Sequence, residues 1–195
     1  MGIKRVVYTI GHSNHPVEDF LKLLKTHGIN CVADVRSIPA SRYNPQFNEH
    51  DLASFLKQGG IKYINLGTEF GARQTDPEVL NEDGKVDFQK FQGSSQFKRG
   101  VKRVKDGISK DFKIALMCSE GNPLDCHRFS MIASYMEDVG IQVMHILKDG
   151  VLRSQKELEE ENLINREGKN LLLFPQDSKQ AASNWHNKKI GWKMG

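Results

Sequence analysis

The chain has 195 residues, 38% of them hydrophobic, and a formal charge of +4. Such a length can bury a core without covalent or metal staples, and three cysteines, Cys31, Cys118 and Cys126, form too sparse and odd a set for a disulfide framework. No uncharged apolar stretch approaches the roughly 20 residues needed to cross a bilayer, and Met1-Gly-Ile-Lys-Arg5 lacks the pattern of a secretory signal, so the expectation is a cytoplasmic protein without membrane contact.

Val6-Val-Tyr-Thr-Ile10 is rich in β-branched and aromatic residues and reads as a first strand that ends in a loop at Gly11. Pro16 opens a first helix whose apolar positions Val17, Phe20, Leu21 and Leu24 share one face, and Gly28 stops it. Cys31-Val-Ala-Asp34-Val35 is the second strand. A second helix starts at Asn48, carries Leu52, Phe55 and Leu56, and stops at Gly59-Gly60 before the third strand, Ile61 to Leu66. Residues 67–93 read as a long loop holding one short helix, a length that in compact domains often carries function.

Helical spacing returns with Phe97, Val101, Val104 and Ile108, followed by the strongest strand, Phe112 to Cys118. Asn122, Pro123 and Asp125 then suit the cap and first turn of a helix running to about Val139, and Ile141 to Leu147 is the fifth strand. Ser154 and Glu157 form a capping box for a charged helix through about Ile164, and Leu171 to Phe174 reads as a short edge strand. The alternation predicts a three-layer α/β domain over residues 1–177: a doubly wound, mostly parallel sheet of about five strands with helices on both faces. With strands ordered 3-2-1-4-5, a ligand crevice lies beyond the carboxyl ends of strands one and four.

Three strand-end loops carry the polar chemistry. In the first, Gly11 permits close backbone approach, and His12 and Ser13 with the following amides can hold an anion; the same residues also suit a plain tight turn, and no nucleotide fingerprint is present. In the second, Asp34 and Arg36 lie on one side of the pleat, where they pair with each other, or an ion pair ties the strand end to Arg42 or Glu69, or Arg36 orients a substrate. The third leads from Cys118 through Glu120 to Cys126, His127 and Arg128. Cys118 at the crevice is the candidate nucleophile, with a thiol expected below its ordinary pKa, and Glu120 the candidate general acid or base. Cys126, three residues before Phe129, is expected in the core, while His127 and Arg128 are candidate anion contacts. Cys118, Cys126, His127 and His12 would supply four soft or borderline metal ligands, but Cys-x7-Cys lacks the usual short chelate, so neither a metal nor any other cofactor is assigned.

Tyr8-Thr-Ile-Gly-His-Ser-Asn14, Val32-Ala-Asp-Val-Arg36, Ser41-Arg-Tyr-Asn-Pro-Gln-Phe47, Gly71-Ala-Arg73 and Cys118-Ser-Glu120 through Cys126-His-Arg128 together resemble the domain of unknown function 488 family over about residues 6–147. The resemblance implies an α/β fold and adds Arg73 to the candidate ligand contacts, but it implies no reaction. Asp-Val-Arg before a cysteine loop is similar to rhodanese, yet Arg128 lies ten residues beyond Cys118 rather than in one tight anion loop. The functional expectation is a protein that binds an anionic, phosphorylated or nucleotide-like small molecule and is a candidate hydrolase or transferase. The alternative is a nucleic-acid-associated module acting through the basic tail at 178–195, where Trp185, Lys188, Lys189, Trp192 and Lys193 interleave aromatics with bases.

Overall fold

A computed structural model describes residues 5–167. The expected edge strand at Leu171 to Phe174 and the basic tail lie outside the described residues. The strands are β1 (Val6–Gly11), β2 (Cys31–Asp34), β3 (Lys62–Asn65), β4 (Ile114–Cys118), β5 (Gln142–Ile146) and β6 (Leu152–Ser154). They form one mixed sheet in the order β3-β2-β4-β1-β5-β6, parallel except for the antiparallel β5–β6 edge.

This order corrects the expected 3-2-1-4-5. β4 inserts between β2 and β1, pairing Tyr8 with Ala115 on one side and Cys31 with Ile114 on the other. All five residues of β4 are buried, so the strand with the most continuous apolar run takes the most central place. A sixth strand, Leu152–Ser154, closes the edge where the sequence showed only the start of a helix.

Helices α1 (Val17–Thr26) and α2 (Glu49–Gln58) cover one face, where Phe20, Leu24, Leu52 and Leu56 pack on Ile10, Val32, Ala115 and Met117. The long connection from β3 contains α3 (Gly67–Phe70) and α4 (Phe88–Gly93), and leads into α5 (Ser95–Ile108) on the opposite face. There Phe97, Val101 and Val104 pack on Ala33, Ile114 and Leu116, together with Met131 and with Met136 of α6 (Ser134–Asp138). The result is a three-layer α/β fold. The last helix among the described residues, α7 (Gln155–Glu167), starts at the expected capping box: Glu157 accepts hydrogen bonds from both the N–H and the hydroxyl of Ser154, 2.7 and 2.8 Å long.

The segment after β4 departs most from expectation. Pro123–Asp125 is a single 3-10 turn, capped by the Asn122 side chain through the Leu124 N–H. Cys126 is extended (φ −129°, ψ 143°), and the chain rewinds as a π-helical turn over Arg128–Ala133 before α6. One continuous helix is thereby replaced by three short pieces, and the interruption falls at a residue that the sequence placed beneath a helix.

Candidate functional site

The ends of β1 and β4 are stitched together beyond their last paired residues, Gly11 and Cys118. The His12 N–H donates to Cys118 O and the Ser13 N–H to Ser119 O, both at 2.9 Å, and Ser13 turns through a left-handed conformation (φ 48°). A Cβ on Gly11 would sit 1.8 Å from the Glu120 carbonyl oxygen, so only glycine lets the loop after β4 cross there. From the other side Arg128 Nη1 donates to Glu120 O (2.6 Å) and Nη2 to Gly121 O (3.0 Å).

These contacts change two expected roles. Arg128 is fully buried and holds loop carbonyls with both terminal nitrogens, so it acts as an internal brace rather than as a surface anion contact. Gly11 is covered by the Glu120 carbonyl, and Ser13 opens onto a neighbouring depression with Gly121, Asn122 and Lys148. The first loop therefore shapes the site from behind.

Asp34 and Arg36 pair with each other, the first of the alternatives their spacing left open, rather than with Arg42 or Glu69. Arg36 Nε reaches both Asp34 carboxylate oxygens at 2.9 and 3.1 Å, and Nη2 also donates to Phe47 O at 2.8 Å. Tyr63 Oη donates to Asp34 Oδ2 at 2.8 Å. Glu69 instead binds Arg103 at 2.7 Å. Asp34 more than offsets the burial of the guanidinium and keeps Arg36 charged.

His12 completes this network. Its Nδ1 lies 2.9 Å from Ser13 O and its Nε2 3.2 Å from Arg36 Nη1, so Nδ1 carries the hydrogen and Nε2 accepts. Its ring stacks on Phe47 with centroids 4.3 Å apart. Burial, followed by the charge of Arg36, pushes the His12 pKa down to about 4. His12 therefore belongs to the Arg36 network and does not join the thiols it was grouped with as a metal-ligand type.

The thiols meet on the other face. Alternation along β4 turns Ile114, Leu116 and Cys118 toward α5, and the extended backbone at Cys126 swings its side chain toward the same place. His127 Nδ1 lies 3.8 Å from Cys118 Sγ and 3.7 Å from Cys126 Sγ, while His127 Nε2 lies 3.3 Å from the Val35 carbonyl. The Cys118 thiol donates to Glu120 Oε2 at 3.0 Å. Cys126 is buried as expected, but in a polar cluster that the periodicity argument missed, because i, i+3 spacing holds only while a helix is continuous.

The acidities also reverse expectation. A hydrogen bond to Cys126 and complete burial push the Cys118 thiol well up. Burial would raise Cys126 too, but the Cys118 hydrogen bond and the charges of Arg128 and His127 overcome it and hold Cys126 well below the ordinary thiol range. Burial lowers His127, and the Cys126 thiolate more than restores it. Glu120 is raised by burial and by the charge of Cys126.

A cleft of about 280 Å³ opens above this cluster, lined by Arg36, Arg73, Cys118, Glu120, Cys126 and His127 among others. Arg73 reaches it because its N–H is held by Ser37 Oγ at 2.9 Å. Of the candidates named from sequence, these six meet at the cleft, while Gly11, His12, Ser13, Asp34 and Arg128 stand behind or beside it. Asp125 also lines the cleft; its place in a capped turn was legible, but its direction depends on the break at Cys126.

The family model described as Domain of unknown function DUF488 matches residues 16–136. No curated protein matches the chain.

Proposed function

Because the chain belongs to the family of domain of unknown function DUF488, whose description assigns no reaction, we propose its function from the site alone: an enzyme that hydrolyses or transfers a group on an anionic, phosphorylated or nucleotide-like small molecule. The observation that carries the reading is the polar floor of the cleft, where Cys118, Glu120, Cys126 and His127 converge beneath a rim that includes Arg36 and Arg73. Buried thiols and an imidazole crowded at the bottom of an open cleft are costly to assemble for packing alone, and such convergence marks a working site. Glu120 is the acid–base group because its carboxylate belongs to both the cluster and the cleft. Arg36 and Arg73 both line the cleft and supply the positive charge that an anion would meet there.

Titration with a panel of nucleoside phosphates and sugar phosphates, read by calorimetry, tests the reading. A ligand should be recovered whose affinity falls about tenfold or more in Arg73→Ala, a loss of about 1.4 kcal/mol. Its turnover should fall far more than its affinity in Glu120→Gln. Ligands indifferent to both substitutions would overturn the assignment.

A further inference from the structure

We propose that Cys118 Sγ, Cys126 Sγ and His127 Nδ1 bind one thiophilic divalent metal ion of the zinc class, with the fourth coordination position open to the cleft beside Glu120. The three ligand atoms all lie within 4.8 Å of one another. Zinc bonds of about 2.3 Å to sulfur and about 2.05 Å to nitrogen in a tetrahedron put sulfur and nitrogen about 3.6 Å apart. The distances from His127 Nδ1 to the two sulfurs, 3.8 and 3.7 Å, are close to that edge.

The imidazole is oriented as a ligand. Its Nε2 faces the Val35 carbonyl at 3.3 Å, so once a metal displaces the Nδ1 proton the remaining Nε2–H keeps an acceptor, the arrangement in which a backbone carbonyl fixes the tautomer of a metal-binding histidine. The ligands are also held from separate elements: Cys118 ends the central strand, while Cys126 and His127 follow the capped turn at Pro123–Asp125. Two sulfurs and one imidazole favour zinc-like ions over magnesium or calcium, and three protein ligands leave a position for water or substrate. Each coordinated sulfur is a thiolate, so loading releases the thiol proton, and Glu120, which contacts Cys118 and lines the cleft, lies beside the open position.

This inference goes beyond the proposed reaction and is separable from it, since a metal can be bound whether or not the anion is the substrate. The test uses the full chain, stripped with chelator under reducing conditions and titrated with Co²⁺ as the probe. The expected result is one equivalent bound, with tetrahedral d–d bands, sulfur-to-cobalt charge transfer in the near ultraviolet, and displacement by Zn²⁺. Cys118→Ser and Cys126→Ser should each weaken binding at least about a hundredfold, whereas Cys31→Ser, buried at the opposite end of β2, should leave the spectrum unchanged. If a cluster variant does not fold, the wild-type charge-transfer band and a metal-dependent rise in its melting temperature still decide the matter. Arg73→Ala should keep the cobalt spectrum while losing anion affinity, which distinguishes failure of one proposal from failure of the other. Only octahedral cobalt bands without charge transfer, or equal loss in Cys31→Ser, would overturn the metal site.

Discussion

Gly11 shows how one residue without a side chain positions chemistry it does not touch. The Glu120 carbonyl occupies the place of its Cβ, at 1.8 Å, and the same carbonyl is gripped by Arg128 from the far side. A methyl group at Gly11 meets backbone rather than a side chain that could rotate away. Gly11→Ala should therefore cost about 1–3 kcal/mol of stability, as overpacking does, and displace the loop that carries Glu120. Urea denaturation reads the first effect. Faster alkylation of Cys118, mapped by mass spectrometry, reads the second, and unchanged stability with unchanged shielding would refute the constraint. At the same scale, His12 ties stability to pH. Its folded pKa of about 4 lies below the unfolded value near 6.5, so the unfolded chain takes up the proton first. The contribution of His12 should be level above neutrality, fall as pH drops from about 6.5 to about 4, and level again below, a loss of about 3 kcal/mol at about 1.4 kcal/mol per unit. His145, held between Thr9 and Gln155 with its pKa pushed down to about 3 by burial, adds a slope of the same sign. Chemical denaturation across this range should show a shallower dependence for His12→Gln; an unchanged slope would mean that His12 is not buried as a neutral acceptor.

Among the elements, α5 and the broken segment after β4 illustrate opposite degrees of local control. α5 is locally specified: the Ser94 hydroxyl caps it through the Phe97 N–H at 3.1 Å, and Phe97, Val101 and Val104 repeat on one face. Ser94→Ala should lower the unfolding free energy by about 1 kcal/mol and shift the denaturation midpoint without changing its slope, because one cap is lost and the buried surface is retained. A midpoint equal to wild type would show that the cap contributes nothing. The segment from Asn122 to Asp138 has equally good local signals, a cap, Pro123 and an apolar face at Phe129, Ile132 and Met136, yet it is not one helix. Its interruption sets Cys126 and His127 against Cys118, and the π-helical turn that follows lies where Arg128 reaches back to the β4 loop. Local preference was overridden where the site is built, which is where such conflicts concentrate.

Across the whole molecule, the site exists because β4 lies between β2 and β1. That placement brings Val35, Gly11 and Cys118 side by side at the carboxyl edge, so that His127 can lean on the Val35 carbonyl while the loop after Cys118 crosses Gly11. The three-layer α/β class, the first five strands, α1, α2, α5 and the α7 capping box were legible in the chain because each rests on spacing, caps and turn residues within a few positions. Asp34 and Arg36 do meet, as their two-residue spacing suggested, although β2 ends at Asp34 and Arg36 folds back on it from the following loop. Strand order was not legible, because it depends on which apolar faces are covered from both sides, and β4 gained the centre through burial against two neighbours. Nor was the meeting of Cys118, Cys126 and His127, or the engagement of Arg128 by the loop carbonyls. Seven residues lie between the two cysteines in sequence, and only a backbone break stabilised by distant partners turns them to face each other. Residue types and their loops were thus set by the linear chain, whereas contact, burial and charge at the site were decided by packing across the sheet.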